Sequence, residues 1–238
     1  MVDQPACEQL EQLEQRVREL EKAENEASSQ RDRAEHLRNI LLAIRNVHQL
    51  IVRETDPKKL VKKVCSQLTN TRGYFNAWIA LMDEKGDVVE TSTASGFNGG
   101  FDIMESALHR SEFPLCMRCS LDKDELIVTR NPPADCPDCP LSSEYEGRSG
   151  LTCRLSYRDR VFGIISVSVP ENFAHEREEQ NLFTELAADL GFALSKLKTD
   201  VQVHRLNQIV TSIPHPISFV SQDYRYLAVN DVYAELFE

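Results

Sequence analysis

The 238-residue sequence predicts an α+β fold, an antiparallel sheet with helices on one side, flanked by long coiled-coil helices. Three observations carry this. Apolar residues recur at spacings of three and four near both ends of the chain. Between them lie two hairpin patterns, each an apolar run, a polar turn and a second strand-like run. The order helix, helix, hairpin, short strand, hairpin, long helix lacks the strand–helix alternation of a parallel sheet.

The elements follow in order. "CEQLEQLEQRVRELEKAENEASSQRDRAEHLRN" has neither Pro nor Gly, and Leu10, Leu13, Val17 and Leu20 alternate as a heptad seam does. The seam weakens over Glu24, Ala27, Arg31 and Ala34. It resumes one residue early at Leu37, Leu41, Ile44 and Val47, a single register shift. Residues 1–36 are therefore expected to form a coiled-coil helix. In "TDPKKLVKKVCSQL", Thr55 or Asp56 suits the N-cap and Pro57 the first turn. Leu60, Val61, Val64 and Leu68 then make an apolar face, and "NTRG" ends the helix. "YFNAWIALMDEKGDVVETSTAS" reads as a hairpin turning at Asp83–Gly86. A short helix is expected near Met104–Arg110, and "ELIVTR" is a short strand. "LTCRLSYRDRVFGIISVSVP" is a second hairpin turning at Tyr157–Asp159, its last strand the most apolar and most central. "NFAHEREEQNLFTELAADLGFALSKLK" is a long helix with Leu182, Leu186, Ala193 and Leu197 on one side, and the pattern continues through "TDVQVHRLNQIVTSI".

Charge and composition narrow the function. With 27 basic and 38 acidic residues the net charge is −11, which disfavours a nucleic-acid backbone or an anionic membrane as partner. No apolar stretch reaches transmembrane length, and "MVDQPACEQLEQLEQ" has no basic or apolar region of a signal peptide. A cytoplasmic location is expected. Cys7, Cys65 and Cys153 are scattered, and His36, His48 and His204 read as solvated residues in helical charge patterns. No phosphate loop and no nucleophile–base pair is legible, so the segment is not expected to be an enzyme. Trp78 is expected in the core or at a pocket.

One constellation stands out. "PLCMRCSLDKDELIVTRNPPADCPDCP" places Cys116 and Cys119 in one C-x-x-C pair and Cys136 and Cys139 in another, separated by the sixteen residues Ser120–Asp135. Each C-x-x-C turn can give a tetrahedral metal two thiolates from one bend, and the separation is that of two-knuckle zinc sites. Arg118 and Lys123 offset the negative charge of such a centre. Structural Zn²⁺ on Cys116, Cys119, Cys136 and Cys139 is the leading reading. Cys139-Pro140 also suits an iron–sulfur cluster, and the same turns suit a thiol–disulfide sensor.

In this order of elements the chain resembles a GAF domain over residues 37–197, with the cysteine insert at 116–139. The resemblance is carried by "YFNAWIALMDEKGDVVE", "LSYRDRVFGIISVSVP" and "FAHEREEQNLFTELAADLGFAL". Residues 198–238 resemble a linker helix and the opening of a PAS domain, through Ile213-Pro214, the strands "PISFV" and "RYLAVN", the turn "SQDY" and Asn230. Neither the Asn-Lys…Phe…Asp-Glu signature of cyclic-nucleotide GAF domains nor the Cys-His pair of bilin-binding ones is found. The resemblance implies a sensory input module of a bacterial signalling protein, of the sensor histidine kinase type. Its ligand pocket is expected between the sheet and residues 97–145, with an unidentified small molecule as ligand. A homodimer is expected, with an output domain further along the same chain. Two rival readings stand beside it. In one the cysteine cluster is itself a redox or metal sensor; in the other the domain only dimerises.

Overall fold

The computed structural model describes residues 4–71 and 73–237, with side chains from Gln12 to Leu236. Cys7 and Leu10, read above into the N-terminal helix, lie outside the described side chains. Helix α1 (Gln4–Arg53) runs unbroken and is followed by α2 (Pro57–Asn70), β1 (Ala77–Met82), β2 (Val89–Ser95) and α3 (Phe101–His109). Next come α4 (Leu115–Asp122), β3 (Ile127–Thr129), the single turn α5 (Pro132–Asp135) and a 3₁₀ turn at Ser142–Tyr145. Strands β4 (Arg148–Tyr157) and β5 (Arg160–Pro170) lead into α6 (Arg177–Ser212). A separate hairpin, β6 (Ser218–Val220) and β7 (Tyr226–Val229), and the helix α7 (Asp231–Phe237) close the described chain.

The main sheet has the order β2-β1-β5-β4-β3 with antiparallel pairing throughout, so β5 is central as its apolar run predicts. Both hairpins and the short strand stand where the sequence places them. Asp56 is the residue that caps α2, its Oδ1 accepting from the amides of Lys58 at 2.8 Å and Lys59 at 3.3 Å. Gly163 (φ +149°) lets β5 cross β1, since a Cβ there would lie 1.9 Å from the Ala80 carbonyl oxygen. Gly191 does the same for α6 against β4, where a Cβ would meet the Ser156 oxygen at 2.3 Å.

All six residues of β1 are buried, which corrects the expectation of helices on one side only. Ala77, Ile79 and Leu81 point into a core with α1, α2 and α6. Trp78, Ala80 and Met82 point the other way, into a second core with Met104 and Leu108 of α3, Met117 of α4, and Leu141 and Tyr145. The long helices do share one face; the short ones cover the other.

Helix α1 docks through Ile40, Ala43, Ile44 and Val47, all buried. Leu41, placed in the seam by spacing, is instead 52% exposed, because the docked face turns toward α2 and α6. Before residue 33 the helix leaves the domain, and Leu13, Val17 and Leu20 are exposed. His36 bonds Glu179 at 3.0 Å and His48 bonds Asp189 at 2.8 Å, so α1 and α6 run parallel. His36 is thus not solvated: burial against α6 and Phe173 leaves its side chain 10% exposed. The parallel docking also means that α1 projects from one end of the domain and α6 from the other. Beyond residue 198 of α6, Val201, Val203, Leu206 and Ile209 are exposed. Among the described residues no helix is long and apolar enough to cross a membrane.

Candidate metal centre

The segment between β2 and β4 brings the two C-x-x-C pairs together. Cys116 and Cys119 do not form a turn, as read from the sequence, but lie one helical turn apart on α4. Pro114 sets the start of that helix, and Met117, fully buried, pins it to the sheet. Cys136 follows α5, which Pro132 starts, and the Cys139 amide donates to the Cys136 carbonyl at 3.0 Å, so this pair is a tight turn as expected. Strand β3 lies between the pairs and joins them to the sheet edge through β4.

Cys116, Cys136 and Cys139 border one cavity of about 30 Å³, together with Trp78, Met104 and Tyr145. Cys136 and Cys139 also line an open groove of about 540 Å³, together with Arg118. Cys119 is half-buried and lies close enough to Cys136 to raise its thiol. All six described cysteines are free thiols. Among the described residues no group of three or more His, Cys, Asp or Glu side chains closes on a point that would hold a metal ion.

The surroundings of Cys116, Cys136 and Cys139 hold these three thiols protonated. Burial, then the neighbouring Cys139 and Cys136, pushes Cys116 up to about 12. Burial likewise raises Cys136 and Cys139. Each sulfur also faces a donor that pulls the other way. Thr152 serves Cys116, the Cys116 amide serves Cys136, and the Leu141 and Ser142 amides serve Cys139. Such donors steady a metal-bound thiolate. A thiol with a raised pKa is a slow nucleophile, whereas a cation nearby releases the proton.

A string of hydroxyls floors the cavity. Thr152 Oγ1 and Ser166 Oγ are 2.9 Å apart and buried. The Tyr145 hydroxyl lies between Ser166 and Trp78, and burial raises it. The partner of Ser166 is on the neighbouring strand, where spacing along the chain does not reveal it. Of the other expectations, Trp78 is both buried and at the cavity, and the cavity lies between the sheet and the 97–145 segment.

The C-terminal hairpin is organised by Asn230. Its Oδ1 accepts from the amides of Ile217 at 2.8 Å and Tyr233 at 3.1 Å, and its Nδ2 donates to the His215 carbonyl at 2.9 Å. It thereby caps α7 and ties that helix back to the entry of β6.

The family model described as GAF domain matches residues 54–195, more than half of the chain. No curated protein matches. Among solved structures, the GAF domain of an Acinetobacter phosphoenolpyruvate-protein phosphotransferase superposes with a TM-score of 0.51 at 18% identity, over 67% of this chain and 94% of that one. The fRMsr of Staphylococcus aureus, solved in complex with its substrate, gives a TM-score of 0.50 at 11% identity, over 66% and 95% of the two chains. At these identities the likeness is one of fold. With an antiparallel five-stranded sheet of that fold and a family match spanning both core hairpins, the chain belongs to the GAF domain family.

Proposed function

We propose that this chain is the input region of a bacterial signal-transduction protein. In this reading the GAF domain holds a metal at Cys116, Cys119, Cys136 and Cys139. It passes a change of shape through paired helices to a PAS domain and an output domain, such as a histidine kinase, further along the chain. It is a cytoplasmic regulatory module and not an enzyme. The observation that carries the reading is the parallel docking of α1 and α6, which project from opposite ends of the GAF domain. A helix that enters at one end and a helix that leaves at the other is what a relay needs. The exposed stripe Leu13, Val17 and Leu20 suits a second copy of α1, and Val201 and Leu206 suit a second α6. The Asn230-centred hairpin supports the opening of a PAS domain.

The cavity bears on the input. Small-molecule sites run from about 300 Å³ upward, ten times the volume beside the cysteines. The cavity itself therefore suits an ion and not a small molecule, while the open groove beside it is large enough for a small-molecule ligand and gives a metal its path. Zinc is the ion that the spacing favours, in a structural role. A second reading takes an iron–sulfur cluster or a cysteine disulfide as the input itself. It is favoured by thiols that border a cavity instead of closing on one point.

Spin labels on Val203, one per chain, test the relay. A parallel dimer places the two labels within measurable range, and removing the metal with a chelator shifts their distance. Sedimentation of the Leu13→Asp/Leu20→Asp variant is expected to show weaker association, since each buried seam leucine contributes about 1.5–3 kcal/mol. A concentration-independent monomer, or an interspin distance indifferent to the chelator, contradicts the proposal.

A further inference from the structure

Helix α3 has a weak start. Its N-cap is Gly100, which has no side chain to accept from the amides of the first turn. Three of the five residues 96–100 are glycines, so the connection from β2 does little to fix that end. The missing acceptor comes from a residue 44 positions further on. Glu144, in the 3₁₀ turn Ser142–Tyr145, accepts from the Gly100 amide at 3.4 Å through Oε1. It also accepts from the Asn98 amide, at 3.2 Å through Oε1 and 3.3 Å through Oε2. A carboxylate at this end of a helix meets the positive pole of its dipole as well. The approach is close. A Cβ on Gly100 would stand 3.2 Å from Glu144 Oε1 and 3.5 Å from both Leu141 Cδ2 and the Pro140 carbonyl oxygen. Beside the carboxylate, Phe97 meets Phe101 and Tyr145 with ring centroids 6.1 and 6.3 Å apart.

The turn that carries Glu144 is continuous with the second cysteine pair. The Cys139 amide donates to the Cys136 carbonyl, the Ser142 amide to the Cys139 carbonyl and the Glu144 amide to the Leu141 carbonyl, each at 3.0 Å. Residues 136–145 are thus one hydrogen-bonded run, with a cysteine pair at its start and the α3 cap near its end. Both α3 and this run border the open groove, α3 through Ile103, Met104 and Ala107 and the run through Cys136, Cys139 and Pro140.

We propose that Glu144 is the tie through which the state of the cysteines reaches α3. While the run 136–145 is held in place, the carboxylate caps α3; when the run loosens, the cap is lost and the start of α3 opens. In the metal reading, on which this rests in part, the metal is what holds the run; the tie itself needs only a run that loosens. Losing the cap leaves the amides of Asn98 and Gly100 to water. Asn98 is exposed, so this is a local opening and not an unfolding of the domain. The groove, bordered by both partners, then changes shape with the cysteines.

Amide hydrogen exchange of the full chain tests the tie, read at Asn98 and Gly100 with β5 as reference. Where elemental analysis finds metal, a chelator removes it; where it finds none, N-ethylmaleimide is placed on Cys136 and Cys139 and confirmed by mass. In the wild type either treatment is expected to speed exchange at Asn98 and Gly100 about tenfold, the loss of a charged hydrogen-bond partner, with β5 unchanged. In Glu144→Ala these amides exchange fast from the start and the treatment adds nothing. Glu144→Gln keeps an acceptor oxygen and restores part of both the protection and the response. A metal-free protein that shows this Glu144-dependent response overturns the metal reading and supports the tie. Two results overturn the tie. One is a wild type whose Asn98 and Gly100 amides are unmoved by the treatment, which decides the matter even if Glu144→Ala does not fold. The other is a Glu144→Ala variant that responds as the wild type does, which routes the coupling through Phe97 and Tyr145 instead.

Discussion

In β1, Ile79 points beneath α1, α2 and α6 while its neighbour Trp78 points at the cysteine segment, and both are buried. The two faces of the sheet reach equal burial by different means. Beneath the long helices the filling is mostly aliphatic and periodic: Leu60, Val64, Leu68, Leu186, Leu190 and Leu194 share a core with Ile165, Val167 and Val169. On the other face, short helices and loops surround hydroxyls, thiols and a small cavity. This second face has the composition of a site, with donors aimed at sulfur and room left between the thiols. A chain that had to bury only apolar area would fill both faces alike.

Substitutions on the two faces should separate these roles. The largest effect is expected beneath the helices. Leu190→Ala opens a hole in the regular core and should lower stability by about 2–5 kcal/mol, read from urea unfolding, with the same loss whether or not metal is present. A loss that vanishes on metal removal would mean that the two faces are not independent. On the other face Thr152→Val keeps the shape but removes the hydroxyl shared with Ser166 and turned toward Cys116. It should cost only about 1 kcal/mol of stability while loosening metal retention. Unchanged metal retention would remove Thr152 from the site.

The same contrast explains what the sequence could tell. The long-helix face was legible because helices and strands impose periods that burial makes visible, as in Leu60, Val61, Val64 and Leu68 of α2. The other face has no period. Nothing in "FDIMESALHR" or "LCMRCSLD" says that these short helices cover a sheet, so helices were expected on one side only. The C-x-x-C spacing singled out the four cysteines, yet it could not distinguish a turn from a helix at Cys116–Cys119, because i and i+3 are neighbours in both. His36 was misread for a related reason. Its charged neighbours Arg33 and Glu35 suggested solvent, and the buried partner lies on α6, remote in sequence. Thr152–Ser166 is a pairing across strands that no local pattern carries.

The claim that the cysteine face holds a metal centre is tested most directly by elemental analysis, with an absorbance spectrum, of the protein purified without chelator under anaerobic conditions. The account predicts one metal centre per chain, lost in Cys136→Ser, with faster proteolysis confined to residues 116–139 and the long-helix core intact. Zinc without visible absorbance supports the structural reading, and iron with charge-transfer bands supports the cluster reading. A protein free of zinc and iron, whose segment 116–139 is equally protease-resistant in the wild type and in Cys136→Ser, would contradict it.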